Sequence, residues 1–204
     1  MADASYLSLK GTLQTLTSQY PRQPDASILG PSTVKALIDA WSIIDTINRL
    51  RNLLDRMPGV KKKSPGFILF LKQTNGVEDL RNIIQHLDSE IDGLIATNSA
   101  VLGTLSWAIA LDPTGERILS CVLRPGTLLS PTAPFPFPAG NVQFPIDRIT
   151  LSAGNKSVCL SDTMIHLAKF ASSTERELQK QFKELSAATA DVLLILEINM
   201  GETQ

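Results

Sequence analysis

Two histidines and two cysteines are the side chains of this sequence best suited to acid–base, nucleophilic or metal chemistry. His86 and His166 are far apart in the sequence, and neither has the spacing from a cysteine or carboxylate that a zinc site requires. Asp162 precedes His166 by one helical turn, so a catalytic site near His166 is one hypothesis. Lone histidines are most often ordinary surface or boundary side chains, and the sequence favours that interpretation for both.

Cys121 and Cys159 both lie inside apolar runs typical of strands. Catalytic thiols are usually partly exposed and close to positive charge, which favours two reduced core thiols here over a nucleophile. A disulfide between adjacent strands is the alternative. A catalytic dyad of either thiol with His166 would depend on the fold bringing the two together.

The motifs of the common enzyme classes are missing from the sequence. It contains no Gly-x-Ser-x-Gly elbow and no phosphate-binding glycine loop. Asp112, Glu116 and Asp147 flank predicted strands, where carboxylates are also common for solubility alone. We therefore predict no cofactor and no metal and favour a protein that is not an enzyme.

A basic stretch over residues 49–63 is the strongest local charge feature. Its cations are Arg49, Arg51, Arg56, Lys61, Lys62 and Lys63. Phosphates of nucleic acid or lipid would be their natural partners, and a basic patch beside the apolar run Phe67–Leu71 is typical of a peripheral membrane anchor. The sequence favours the simpler alternative, a solvated loop followed by a core strand over Phe67–Leu71.

The proline-rich loop 125–140 is the second candidate for binding. Pro131 and Pro134 form a Pro-x-x-Pro motif, and Phe135 and Phe137 alternate with prolines. Such a segment would dock into an aromatic groove of a protein partner, or its phenylalanines would fold back over the chain's own sheet. We favour the second arrangement because exposed phenylalanines are costly.

Apolar residues at alternating spacings of three and four predict the helices that must position these residues. They indicate a helix over Ser5–Tyr20 and a packed pair formed by Val34–Met57, opened by Gly30-Pro31-Ser32, and Val77–Leu102. Asn98 falls on the second stripe of that pair, where a polar residue can fix the register between helices. A last helix starts at Ser161-Asp162, and residues 192–198 either continue it or form a buried strand.

Two hairpins are predicted between the helical regions. Leu105–Leu111 and Arg117–Leu123 flank the turn that starts at Asp112, because alternating apolar residues are the signature of strands. Ile146–Ser152 and Ser157–Leu160 form the second hairpin. The sequence thus predicts an α+β fold in which an antiparallel bundle of three to four amphipathic helices carries a small antiparallel sheet of two hairpins.

Composition is ordinary for a globular protein. The chain has 204 residues, of which 43% are hydrophobic and 19% charged, and we expect one domain with a helix-rich half over 1–102, hairpins over 103–161 and a C-terminal part over 162–204. A net charge of −1 gives no global field to attract polyanions. Without a signal peptide or an apolar run of about 18 residues, we expect an intracellular, soluble protein.

These observations favour a non-enzymatic protein that acts by protein–protein interaction or self-assembly. The expected partner is another protein, including a second copy of the chain. Asn98 and the proline-rich loop are the candidate contacts. The alternatives are a peripheral membrane or nucleic-acid binder acting through residues 49–63, and an enzyme with its site near His166.

Overall fold

The α+β fold predicted from the sequence is confirmed by the computed structural model, which describes residues 1–57, 60–96, 100–114, 116–126, 142–143 and 145–181. Six helices lie in this part of the chain: α1 (Ala2–Thr17), α2 (Ala26–Arg56), α3 (Pro65–Gln73), α4 (Asn75–Gln85), α5 (Leu87–Ala96) and α6 (Leu160–Gln181). Four strands follow α5: β1 (Thr104–Ala110), β2 (Ile118–Leu123), β3 (Ile146–Ala153) and β4 (Lys156–Cys159).

The four strands form one antiparallel sheet in the order β2-β1-β3-β4. Each predicted hairpin is present, and pairing of β1 with β3 joins the two hairpins, with Leu105 opposite Leu151. The register shifts between Ser106 and Ala108, where β3 carries an extra residue and Arg148 has a φ of 55°. The sheet therefore bends at a bulge in its central strand pair.

The main core lies between one face of the sheet and helices α1, α2, α4 and α6. Leu9 and Leu13 of α1, Ile43 and Ile47 of α2 and Leu151 of β3 are fully buried in it. Alternation in β1 predicted one buried face, but both faces are covered. Ala108 and Ala110 pack with Val142 on the second face, because small side chains let another segment lie close.

Helix α3 corrects the strand predicted for Phe67–Leu71. Five consecutive apolar residues carry no periodicity, so the preceding residues decide the structure. Ser64 caps the helix by accepting a hydrogen bond from the Phe67 N–H at 3.3 Å, and Pro65 occupies the first turn, where proline is favoured. Phe67 and Phe70 then share one face, and Phe70 stacks on Phe170 of α6 with ring centroids 4.4 Å apart.

Two helix boundaries also differ from prediction. The helix expected to run through Val77–Leu102 is divided between α4 and α5 at His86, whose carbonyl oxygen accepts both the backbone N–H (3.0 Å) and the side-chain hydroxyl (2.9 Å) of Ser89. Serine competes with the helix for backbone partners in this way. Helix α2 starts at Ala26, so Pro31 lies inside it instead of opening it.

Several predictions fall outside the described residues. They concern Asn98, the prolines and phenylalanines of residues 131–137, and the choice between helix and strand for residues 192–198. The single-domain assignment of the whole chain also stays a prediction.

Candidate functional site

The two histidines belong to different parts of the fold. His86 is exposed at the break between α4 and α5, and His166 is half-buried on α6. Within the same residues, no group of three or more His, Cys, Asp or Glu side chains is placed to hold a metal ion.

Both cysteines are free thiols; Cys121 packs against the main core, and Cys159 lies beside Thr150 and Asp162. Burial raises the pKa of Cys121 to about 11 and also raises the pKa of Cys159. Since the thiolate is the nucleophilic form, a raised pKa leaves less of it at neutral pH. The environment of each thiol therefore weakens it as a nucleophile.

The strand-end carboxylates have local structural roles. Asp112 accepts hydrogen bonds from the Thr114 hydroxyl at 2.6 Å and from the backbone N–H groups of Glu116 and Arg117 at 3.2 and 3.1 Å. Asp147 is buried and accepts from the N–H groups of Gln143 and Arg148 at 3.1 and 2.7 Å. These bonds order the hairpin turn and the entry to β3.

A polar cluster that the sequence did not predict joins α1, β3 and α6. The Tyr6 hydroxyl donates to Ser161 Oγ at 3.0 Å, and the same oxygen accepts the Ile149 N–H at 3.0 Å. Arg148 lies 3.4 Å from Asp162 beside them. Ser161 is buried and Tyr6 is partly buried. Their hydrogen bond links parts of the chain that are 155 positions apart.

The basic stretch separates into internal and exposed members. The Arg51 side chain is only 11% exposed, and its guanidinium donates to the Leu71 carbonyl at 2.7 Å and the Thr74 hydroxyl at 2.6 Å. Arg51 also pairs with Glu78 at 3.2 Å, so it holds α2 against α3 and α4. Arg49 is exposed and pairs with Asp45 at 2.6 Å, while Arg56 is exposed in the last turn of α2.

Lys61, Lys62 and Lys63 are all exposed in the loop between α2 and α3. With Val60 and Ser64 they line a shallow concavity of about 480 Å³. The backbone there is turned by bonds from Lys62 N–H to the Val60 carbonyl at 2.9 Å and from Ser64 N–H to the Lys61 carbonyl at 2.8 Å. Three of the six predicted anion-binding residues are thus together on one ordered loop.

An apolar groove along α2, from Thr33 to Asp45, is a second candidate surface that the sequence did not predict. Its volume is about 430 Å³, and its wall includes Val34, Leu37, Ile38, Trp41, Leu102 and Pro125. Val34 and Ile38 are 58% and 60% exposed, and Leu102 is 52% exposed. Exposed apolar side chains grouped in this way mark interaction surfaces.

Two of the polar side chains that line this groove, Trp41 and Asp45, are engaged within the chain. Trp41 Nε1 donates to the Leu102 carbonyl at 2.9 Å and so fixes the indole in the wall. Among the described residues that line the groove, Asp45 alone is charged, and it pairs with Arg49 and with Arg81 at 3.1 Å. The groove is therefore suited to an apolar ligand.

The dimensions of the groove match those of a helix or short peptide. Its lining residues on α2 extend from Thr33 to Asp45, which is about 18 Å or three helical turns. The three-four stripe in the sequence includes Val34, Leu37 and Trp41, but periodicity does not reveal which part of a stripe the rest of the chain covers. Ile38, which lies off that stripe, was the available signal for an additional apolar surface.

No protein family model, curated protein or solved structure shows significant similarity to this chain. In the described part of the chain, every helix is too short or too polar to cross a membrane. The local geometry is consequently the basis for the functional proposals below.

Proposed function

We propose that this protein is a non-enzymatic binding protein and that the α2 groove receives an amphipathic helix of a protein partner. The groove that carries this proposal is almost entirely apolar, and Val34 and Ile38 are more than half exposed on α2. Exposure of these two apolar side chains to water does not stabilise the protein. A partner that covers them removes apolar area from water, at about 25 cal/mol per Å².

The occupant is inferred from spacing and charge. Val34, Leu37, Ile38 and Trp41 repeat at the i, i+3, i+4 and i+7 positions with which one helix face meets another. Asp45 at the groove end is neutralised by two arginines, so a charged ligand finds no complementary unpaired group there. A second copy of the chain, with its own apolar stripes, belongs to the same class of occupant.

The test replaces the two exposed anchors, in a Val34→Ser/Ile38→Ser variant. Both side chains are exposed, so the fold should be little affected. Leu7→Ser is the matched control, because Leu7 is 69% exposed on α1 and is not among the residues that line the groove. A photocrosslinking phenylalanine analogue at position 38, or at position 7 as control, reports the occupant in cells.

We expect crosslinks from position 38 to one amphipathic helical segment. The Val34→Ser/Ile38→Ser variant should bind that purified segment with an affinity about tenfold or more below that of the wild type. If the crosslinked segment comes from a second copy of this chain, sedimentation velocity should show a dimer for the wild type and a monomer for the double-serine variant. Equal crosslinking at positions 38 and 7, with a monomer at every concentration, would overturn the proposal.

A further inference from the structure

A second surface, on α3 and the loop before it, combines positive charge with exposed aliphatic side chains. Ile68 and Leu69 are 53% and 52% exposed, whereas Phe67 and Phe70 are 4% and 2% exposed. Burial of the phenylalanines against Leu54 and α6 accounts for the inner face of α3. It does not account for two neighbouring aliphatic side chains on the outer face.

The lysine loop directly precedes this outer face. Ser64, which directly follows the lysine loop 61–63, caps α3, and the helical rise places Leu69 about 7.5 Å along the helix axis from this cap. Lys72 is exposed one helical turn beyond Ile68 and shares the outer face with Ile68 and Leu69. The aliphatic pair is therefore bordered by positive charge at both ends of α3.

Few acidic groups oppose these lysines in the described residues. Lys62 lies 3.5 Å from Asp55, but both side chains are at least half exposed, and such pairs contribute little in water. Arg51 is excluded from the surface because its guanidinium is engaged inside the protein. The lysines of this surface that remain available to a ligand are Lys61, Lys62, Lys63 and Lys72.

We propose that this surface binds the face of an anionic lipid bilayer. The lysines of the shallow concavity would lie at the depth of the phosphate and carboxylate headgroups, and Ile68 and Leu69 would enter the boundary with the acyl chains. This is how a helix binds a membrane without crossing it. Each lysine near an anionic leaflet adds attraction that salt weakens.

The aliphatic pair favours a bilayer over nucleic acid. Phosphates of DNA or RNA would satisfy the lysines, but most contacts of a nucleic-acid interface are to phosphate and sugar, which offer no apolar phase to Ile68 and Leu69. In a bilayer, each buried aliphatic side chain adds apolar transfer energy to the charge attraction.

The experiment is flotation of the full chain with vesicles of neutral phosphatidylcholine, alone or mixed with phosphatidylserine. Two variants divide the surface: Lys61→Gln/Lys62→Gln/Lys63→Gln removes charge, and Ile68→Ser/Leu69→Ser removes the aliphatic pair. The control for the first is Arg22→Gln/Arg117→Gln/Lys156→Gln, with equal loss of charge at exposed positions on other elements. Leu7→Ser is the control for the second.

We expect the chain to float with the anionic vesicles only and to be released by salt. Both surface variants should lower the partition coefficient about tenfold or more, while both controls bind like the wild type. Val34→Ser/Ile38→Ser should also float like the wild type, which separates this surface from the α2 groove. Equal binding by surface and control variants, or no flotation, overturns the proposal. Binding to duplex DNA or RNA that depends on the lysines but not on Ile68 and Leu69 would replace lipid with nucleic acid.

Discussion

Trp41 Nε1 and the carbonyl oxygen of Leu102 are 2.9 Å apart in a hydrogen bond that ties α2 to the entry of β1. The bond crosses 61 positions of sequence and fixes one wall of the α2 groove. The indole thus has two roles, as an apolar surface for a ligand and as a polar link within the fold.

Replacing Trp41 by Phe should remove this link while keeping an aromatic ring in the wall. We expect a loss of about 1 kcal/mol in the free energy of unfolding, measured by urea titration and circular dichroism. Val34→Ser is the companion variant, because it changes the same groove without touching the hydrogen bond. Equal free energies for Trp41→Phe and wild type would contradict the structural role of the bond.

Gly103 should be far less tolerant of substitution than Gly11. It has a φ of +85°, and a Cβ there would lie 2.9 Å from the Ser152 carbonyl oxygen. Gly103→Ala is expected to destabilise the protein by about 2 kcal/mol or more. At Gly11, inside α1, a Cβ meets nothing within 4 Å, so Gly11→Ala should instead stabilise by up to about 1 kcal/mol. Thermal unfolding of the two variants side by side tests the opposite signs.

The hydroxyl of Tyr6 should contribute measurably to stability. Tyr6→Phe keeps the ring but deletes the donor to Ser161, at an expected cost of about 1 kcal/mol. Ser161→Ala should cost more, because it also deprives the Ile149 N–H of its acceptor. Tyr20 is 58% exposed, so Tyr20→Phe is the matched control and should leave the unfolding midpoint in urea unchanged.

Cys121 should titrate late in the folded protein. In the Cys159→Ser variant, its alkylation rate should continue to rise up to about pH 11, since burial raises the pKa to about 11 from a reference of 9.0. In urea, the alkylation rate of the same thiol should reach its plateau above about pH 9. A folded-state plateau near that lower pH would show that burial has no effect on this group.

The same titration has a consequence for stability. A thiol whose pKa is higher in the folded than in the unfolded state stabilises the folded protein. This contribution is complete below the unfolded-state pKa and is lost as the pH rises through the folded-state pKa. Cys121→Ser should therefore lessen the decline in unfolding free energy between pH 9.0 and about 11. The pKa values of Tyr6 and Cys159 are also raised, so part of the decline in unfolding free energy should remain in both the wild type and Cys121→Ser.

The strands and the first two helices could be predicted because their patterns are regular. Alternation identified β1, and Asp112 with its proline explained the turn to β2, where the carboxylate accepts two backbone N–H groups. Three-four spacing identified α1 and most of α2. Phe67–Leu71 has neither period, and there the cap at Ser64 decided for a helix.

The candidate surfaces were harder to predict, because a sequence shows residue types but not which neighbours they meet. Arg51 looks like its basic neighbours, yet carbonyl and hydroxyl oxygens of α3 and the α3–α4 junction surround its guanidinium. Val34 belongs to the same stripe as the core residues Leu37 and Ile44, yet it is exposed. Long-range packing determines the burial of Arg51 and the exposure of Val34, and a local sequence pattern does not contain that information.

The bond between Tyr6 and Ser161 also constrains the order of events during synthesis. These residues are 155 positions apart, so α1 acquires this partner only after the four strands and the start of α6 have been synthesised. Until then, the inward face of α1, with Leu9 and Leu13, has no sheet or α6 to cover it. We infer that the packing of α1 is completed only after β3 and α6 have been synthesised, and that molecular chaperones have a long period in which to bind this nascent helix.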